Sequence, residues 1–217
     1  MMNAANQGIE LLSSAQMEAR GKIKVSLPTA LSRSFINDKI AKFAIKYPEI
    51  ALNVDYSDTQ NNIIGEKVDL TIRAGELEDS DFISKKLGVL KRQLVCTSPF
   101  YLKHPHPVFP QNVSTWQWIK LTQLSNQRLF SKSGQRQAVR FNNQISVNSV
   151  EAIYQYCLNG VGLATLSSSQ VSEDILTGRL VHVLPDWEIT PLPLFALWPK
   201  NTKPKSIVKL FLSYLVQ

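Results

Sequence analysis

The sequence predicts an α/β fold built from two units, and three observations carry that prediction. Strand, helix, strand and strand follow one another between Lys22 and Arg73. A second alternation of the same kind runs from Gln144 to Val216. Between them His104 to Gln144, rich in Pro, Asn, Gln and Ser, shows no clear periodicity. Alternation of this order points to helices packed on a mainly parallel sheet.

Taken in order, residues 3–20 read as a connecting helix with a partial apolar stripe at Ile9, Leu11, Leu12 and Met17, closed by Gly21. Lys22 to Leu27 alternates polar and apolar residues as a strand does. Pro28 then opens a helix to Tyr47 whose buried face is Leu31, Phe35, Ile40, Phe43, Ala44 and Tyr47, and Pro48 ends it. A second strand spans Ile50 to Tyr56, Ser57 to Thr59 turn the chain, and Val68 to Arg73 form a third strand. After the acidic turn Glu76 to Asp81, the run Phe82 to Thr97 is extended. In the second unit Gln144 to Val147 is a strand, and Asn148 and Ser149 are N-cap candidates for a helix carrying Val150, Ile153, Tyr154, Cys157 and Leu158, which Gly160 stops. Strands at 162–166, 180–184 and 192–198 and helices at 170–177 and 206–216 complete it.

The chain has 217 residues, 44% of them hydrophobic, enough for a substantial core in one unit or two small lobes. No run approaches the roughly 18 apolar residues of a membrane span. Met1 to Gly21 has neither the basic start nor the compact apolar stretch of a secretory signal, so a cytoplasmic protein with no membrane partner is expected. Cys96 and Cys157 sit in apolar segments without CxxC spacing and fit a reducing compartment, with a single bridge the alternative. The net charge of +7 is spread along the chain and suits nucleic acid nearby or an anionic ligand without selecting either.

Catalytic signatures are missing. No phosphate cradle, HExxH, nucleophile elbow or paired CxxC occurs, so no enzyme activity, catalytic residue or cofactor is expected. Gly160 and Gly162 lack the third glycine of a dinucleotide fingerprint and read as a helix stop before a strand. His104 and His106 have no clear third ligand nearby and read as a surface loop, so no metal is expected. His182, in an apolar strand, reads as a structural histidine.

The run Gly65-Glu-Lys-Val-Asp69-Leu-Thr-Ile-Arg73-Ala-Gly75, followed by Leu87-Gly88 and Ser98-Pro99-Phe-Tyr101-Leu102, resembles the effector-binding domain of LysR-type transcriptional regulators. Asn148-Ser-Val-Glu-Ala152, Gly160-Val-Gly162, Gly178-Arg179-Leu-Val181, Val183-Leu-Pro-Asp-Trp187 and Leu194 to Pro199 continue the resemblance in the family's order, over residues 21–217. Leu166-Ser167 stands where the family usually has Leu-Pro. The segment between Ser57 and Gly65 looks shortened, and Lys85-Lys86 and His104-Pro105 also depart from the usual pattern.

The resemblance implies two Rossmann-like lobes joined by two crossing strands, similar to type 2 periplasmic binding proteins, with a small-molecule effector in the cleft. Lobe I would be residues 21–97 plus 196–217 and lobe II residues 98–195, with hinges at Val95 to Ser98 and Phe195 to Trp198. Residues 1–20 would be the remnant of a linker helix. It also implies a homodimer or tetramer, with promoter DNA reached only through an N-terminal winged helix-turn-helix absent from this chain. A solute-binding protein of the same fold and a ligand-free dimerisation domain are the alternatives.

Physical reasoning points to the same cleft, because ligands of open α/β sheets settle beyond the carboxyl ends of strands, where helix starts expose free amides. The candidate ligand-binding residues are Pro28, Thr29 and Ala30 after the first strand, and Asn148 and Ser149 before the helix of the second unit. Ser57, Arg73, Ala74 and Thr97 join them as strand-exit residues able to hold a carboxylate or another small polar anion. Each also has a structural reading: caps for Asn148 and Ser149, a first-turn residue for Thr29, an ion pair for Arg73. Glu151, one turn inside that helix, would repel an anion if it faced the cleft.

Overall fold

A computed structural model describes residues 19–58, 68–77, 82–203 and 206–216, with backbone only at 143 and 144. The expected helix at 3–20 and the short segment after Ser57 therefore fall wholly or mostly outside the described residues.

The first sheet contains β1 (Gly21–Leu27), β2 (Ile50–Tyr56), β3 (Leu70–Ala74), β4 (Phe82–Leu90) and β13 (Leu192–Pro199), in the order β2-β1-β3-β13-β4. β1 pairs in parallel with β2 and β3, and β13 lies antiparallel between β3 and β4. The second sheet has the order β11-β5-β10-β6-β9, from β5 (Arg92–Thr97), β6 (Trp118–Leu121), β9 (Asn143–Val147), β10 (Leu163–Ser167) and β11 (Leu180–His182). A small antiparallel sheet of β12 (Glu188–Ile189), β7 (Gln127–Lys132) and β8 (Gln135–Arg140) covers its end. The helices are α1 (Phe35–Lys46), α2 (Ser98–Tyr101), α3 (Val150–Leu158), α4 (Ser168–Leu176) and α5 (Ile207–Val216).

The sheets fix where the chain crosses. β4 belongs entirely to the first sheet and β5 to the second, so the first crossing is at Lys91. The second lies between Ile189 and Leu192. The expected hinge residues lie elsewhere: Val95 to Thr97 end β5, Ser98 opens α2, and Phe195 to Trp198 are interior to β13. By sheet membership, the described residues up to 90 and from 192 onward go with the first sheet, here lobe I, and residues 92–189 with the second, here lobe II. One extended run had hidden two strands of opposite allegiance, because sequence periodicity does not say which sheet a strand joins.

Lobe I packs α1 and α5 against its sheet around Val25, Leu27, Leu31, Ile36, Phe43, Ile72 and Phe211. Phe43 meets Phe211 edge to face, with ring centroids 4.9 Å apart. The lobe II sheet is mixed, with β5 antiparallel to β10 and β11 and β6 parallel to β9 and β10, and apolar clusters cover both of its faces. Leu94, Cys96, Trp118 and Leu163 point to one side, and Val95, Ile119, Ala164 and Leu166 to the other. Cys96 and Cys157 lie in separate cores on the two faces and are free thiols. Burial pushes Cys96 up to about 12 and raises Cys157 further.

The polar middle is ordered. It supplies β6, the β7–β8 hairpin and the start of β9. The hairpin turns at Ser133 and Gly134, both with positive φ (48° and 84°), the geometry that matches the twist of the two strands. His104 is no plain solvated loop residue: it stacks on Trp116 at 4.2 Å, and its Nδ1 lies 2.9 Å from the Phe100 carbonyl oxygen. His182 is half-buried beside Gln93, and burial lowers its pKa. Among the described residues no helix is long and apolar enough to cross a membrane.

Candidate functional site

The parallel register of the first sheet builds the site. Leu27 stands opposite Tyr56, so the chain leaves β1 and β2 side by side. The Ser57 amide donates to the Leu27 carbonyl at 2.9 Å, and the next residues, Thr29 and Asp58, meet. Pro28 has the extended φ and ψ of a cap, and Thr29 to Leu31 form a single 3-10 turn. The expected helix from Pro28 is interrupted before α1 because the buried Ser34 hydroxyl donates to the Leu31 carbonyl at 2.7 Å.

On the lobe II side β9 leads into α3. Ser149 is the N-cap of α3, its hydroxyl accepting from the Ala152 amide at 3.3 Å. The next amide, that of Val150, points across the cleft.

Asp58 joins the two lobes. Its Oδ1 accepts from the Thr29 amide at 2.9 Å, and its Oδ2 accepts from the Thr29 hydroxyl and from the Val150 amide, the latter at 2.7 Å. Its backbone carbonyl accepts from Gln123 Nε2 of lobe II at 2.8 Å. Three donors, two of them backbone amides at turn or helix starts, thus converge on one half-buried carboxylate.

Two further contacts cross the seam. The Ser167 hydroxyl of lobe II lies 3.5 Å from the Ala30 carbonyl. The Arg33 guanidinium sits 5.4 Å from the ring centroid of Tyr154, whose hydroxyl donates to the buried Asp174 at 2.7 Å. Asp174 is also paired with Arg179 at 2.6 Å. Glu151 is engaged inside lobe II, accepting from Gln155 at 2.9 Å and Gln170 at 3.4 Å. Beside the Ala30–Ser167 contact, a cavity of about 220 Å³ opens between the lobes, lined mainly by apolar surface from Leu31, Phe35, Val89, Leu90 and Leu194.

Of the expected residues, Thr29, Ala30 and Ser149 meet at or flank this seam, with Pro28, Ser57 and Asn148 adjacent in sequence. Arg73 and Ala74 end β3, beside β1 at the same edge of the sheet, where they pair with Phe195 and Leu194. Thr97 is a correction. β5 runs antiparallel to β10, with Arg92 opposite Ser167 and Val95 opposite Ala164, so Thr97 lies at the far end of the lobe II sheet. There it lines a separate hollow with Lys103, Gly160 and Arg179. Asp58, Val150, Gln123 and Ser167 were not among the site residues read from the sequence. An acidic residue directly after a parallel strand, beside a strand-exit threonine, was the available signal for Asp58.

The LysR substrate binding domain family model matches residues 16–217. The HTH-type transcriptional regulator PtxR of Pseudomonas aeruginosa is 29% identical over 187 residues, which cover 85% of this chain and 60% of PtxR. The chain therefore spans about three fifths of that relative's length. The regulatory domain of CrgA, a LysR-type transcriptional regulator from Neisseria meningitidis, is 25% identical with a TM-score of 0.77, covering 91% of this chain and 98% of that one. The regulatory domain of AphB from Vibrio vulnificus is 25% identical with a TM-score of 0.72, covering 90% and 99%.

Proposed function

The chain belongs to the LysR substrate-binding-domain family, and from that premise we propose that it senses a small carboxylate-bearing or similarly polar metabolite in the cleft between its lobes. The observation that carries this reading is the convergence of the Thr29 amide, the Thr29 hydroxyl and the Val150 amide from two lobes onto one carboxylate. Donors so placed recognise an anion whichever molecule supplies it. A separate cavity of about 220 Å³ on the same seam, lined by Leu31, Phe35 and Leu194 among others, adds apolar surface there.

A ligand bound by both lobes shifts their arrangement by its differential affinity for the alternatives. In a full-length regulator such a shift in lobe angle or dimer packing would reposition DNA-binding domains, with the effector domain acting within a homodimer or tetramer and the protein residing in the cytoplasm.

A thermal-shift screen against carboxylates, amino acids, aromatic acids and sugar acids tests the reading, with the parent compared with Thr29→Val and Asn148→Leu. A ligand at 100 times its Kd stabilises by about 2.7 kcal/mol. The expected result is a rise in melting temperature for the parent that Thr29→Val reduces. Silence across the library would favour the ligand-free assembly domain.

A further inference from the structure

We propose that Asp58 is a built-in occupant of the cleft's carboxylate subsite, latching the lobes together in the absence of effector, so that an anionic ligand acts there only by displacing it. This rests on the sensing site proposed above and adds its regulation. The donors at the subsite are the Thr29 amide, the Thr29 hydroxyl and the Val150 amide, and Asp58 takes all three with its two carboxylate oxygens. A second carboxylate placed on the same donors would meet both occupied hydrogen bonds and like charge.

The attachment is set by the fold. The Leu27–Tyr56 register and the Ser57-to-Leu27 hydrogen bond of 2.9 Å hold the backbone on the lobe I side. Gln123 of lobe II grips the Asp58 carbonyl at 2.8 Å. Asp58 is therefore tethered next to its donors, and a tethered group competes at an effective concentration in the millimolar range or above. Weak free monocarboxylates lose that competition.

Chemical rescue tests the latch. Asp58→Ala and the nearly isosteric Asp58→Asn are titrated with sodium acetate against sodium chloride of equal ionic strength, followed by thermal melting. The expected result is a melting temperature lower than the parent's by roughly 4 °C for Asp58→Ala. Acetate should restore it with a midpoint at least about tenfold below any effect on the parent. Thr29→Val in the Asp58→Ala background removes the rescue. Equal acetate responses in parent and both variants, or no acetate-specific gain in either, overturn the proposal. Failure of the sensing site reads differently. Rescue by acetate with no hit from the effector library keeps the latch and removes the sensor, whereas an effector bound identically by parent and Asp58→Ala keeps the sensor and removes the latch.

Discussion

The interior of each lobe and the seam between the lobes are held by different physics. Inside, large side chains are fully enclosed: Phe43 in lobe I and Trp118 in lobe II expose none of their surface, and Trp118 stacks on Phe141 at 4.0 Å. Across the seam a few polar groups meet at partly solvated positions, chiefly Asp58 with Val150 and Gln123. Dense apolar packing resists small displacements, whereas hydrogen bonds exchange readily for bonds to water or to a ligand. Each lobe is thus suited to move as a body, with the exchangeable contacts concentrated at the seam.

The largest expected effect tests the interior. Trp118→Ala should cost about 3–5 kcal/mol, read as a lowered denaturant midpoint, because it empties a closed core and removes the stack on Phe141. Asp58→Ala should cost less, about 1–2 kcal/mol. That is the lower part of the range for hydrogen bonds to a charged group, reduced by partial exposure. A loss as great as that of Trp118→Ala would mean the seam is part of the core and would erase the distinction.

Ser149→Ala should cost about 1 kcal/mol and Ser149→Gly only a few tenths, measured by urea melts, since the hydroxyl caps α3 through the Ala152 amide. Equal losses would show that Ser149 serves the cleft in some way other than capping. The smallest effect is a pH slope from His182. Burial lowers its folded pKa, so the unfolded chain binds the extra proton first as pH falls through the ordinary histidine range of about 6.5. Stability attributable to His182 is therefore intact above that range and declines below it, and His182→Gln should flatten this part of the profile.

Much of the fold was legible because its signals are local. β2 matches its expected bounds at Ile50 and Tyr56, and the helix after Ser149 follows from its cap and apolar spacing. What failed depends on partners distant in sequence. The direction in which β5 pairs with β10 decides that Thr97 faces away from the cleft, and nothing in residues 92–97 encodes it. The β7–β8 hairpin lies in a polar stretch whose turn, Ser133 and Gly134, lacks strongly apolar flanks. Asp58 read as a turn residue because its donors are 29 and 92 positions away. The candidate site was thus half visible: the strand exit at Thr29 and the helix start at Ser149 could be read, but not the carboxylate joining them.

Amide hydrogen exchange at Thr29 and Val150, in a buffer free of carboxylate and phosphate, tests most directly whether the chain's own carboxylate closes the cleft. Protection of both amides in the parent, lost in Asp58→Ala while the Val25 and Ile72 amides of the lobe I sheet stay protected, is the predicted result. Equal exchange at Thr29 and Val150 in the parent and in Asp58→Ala would contradict it.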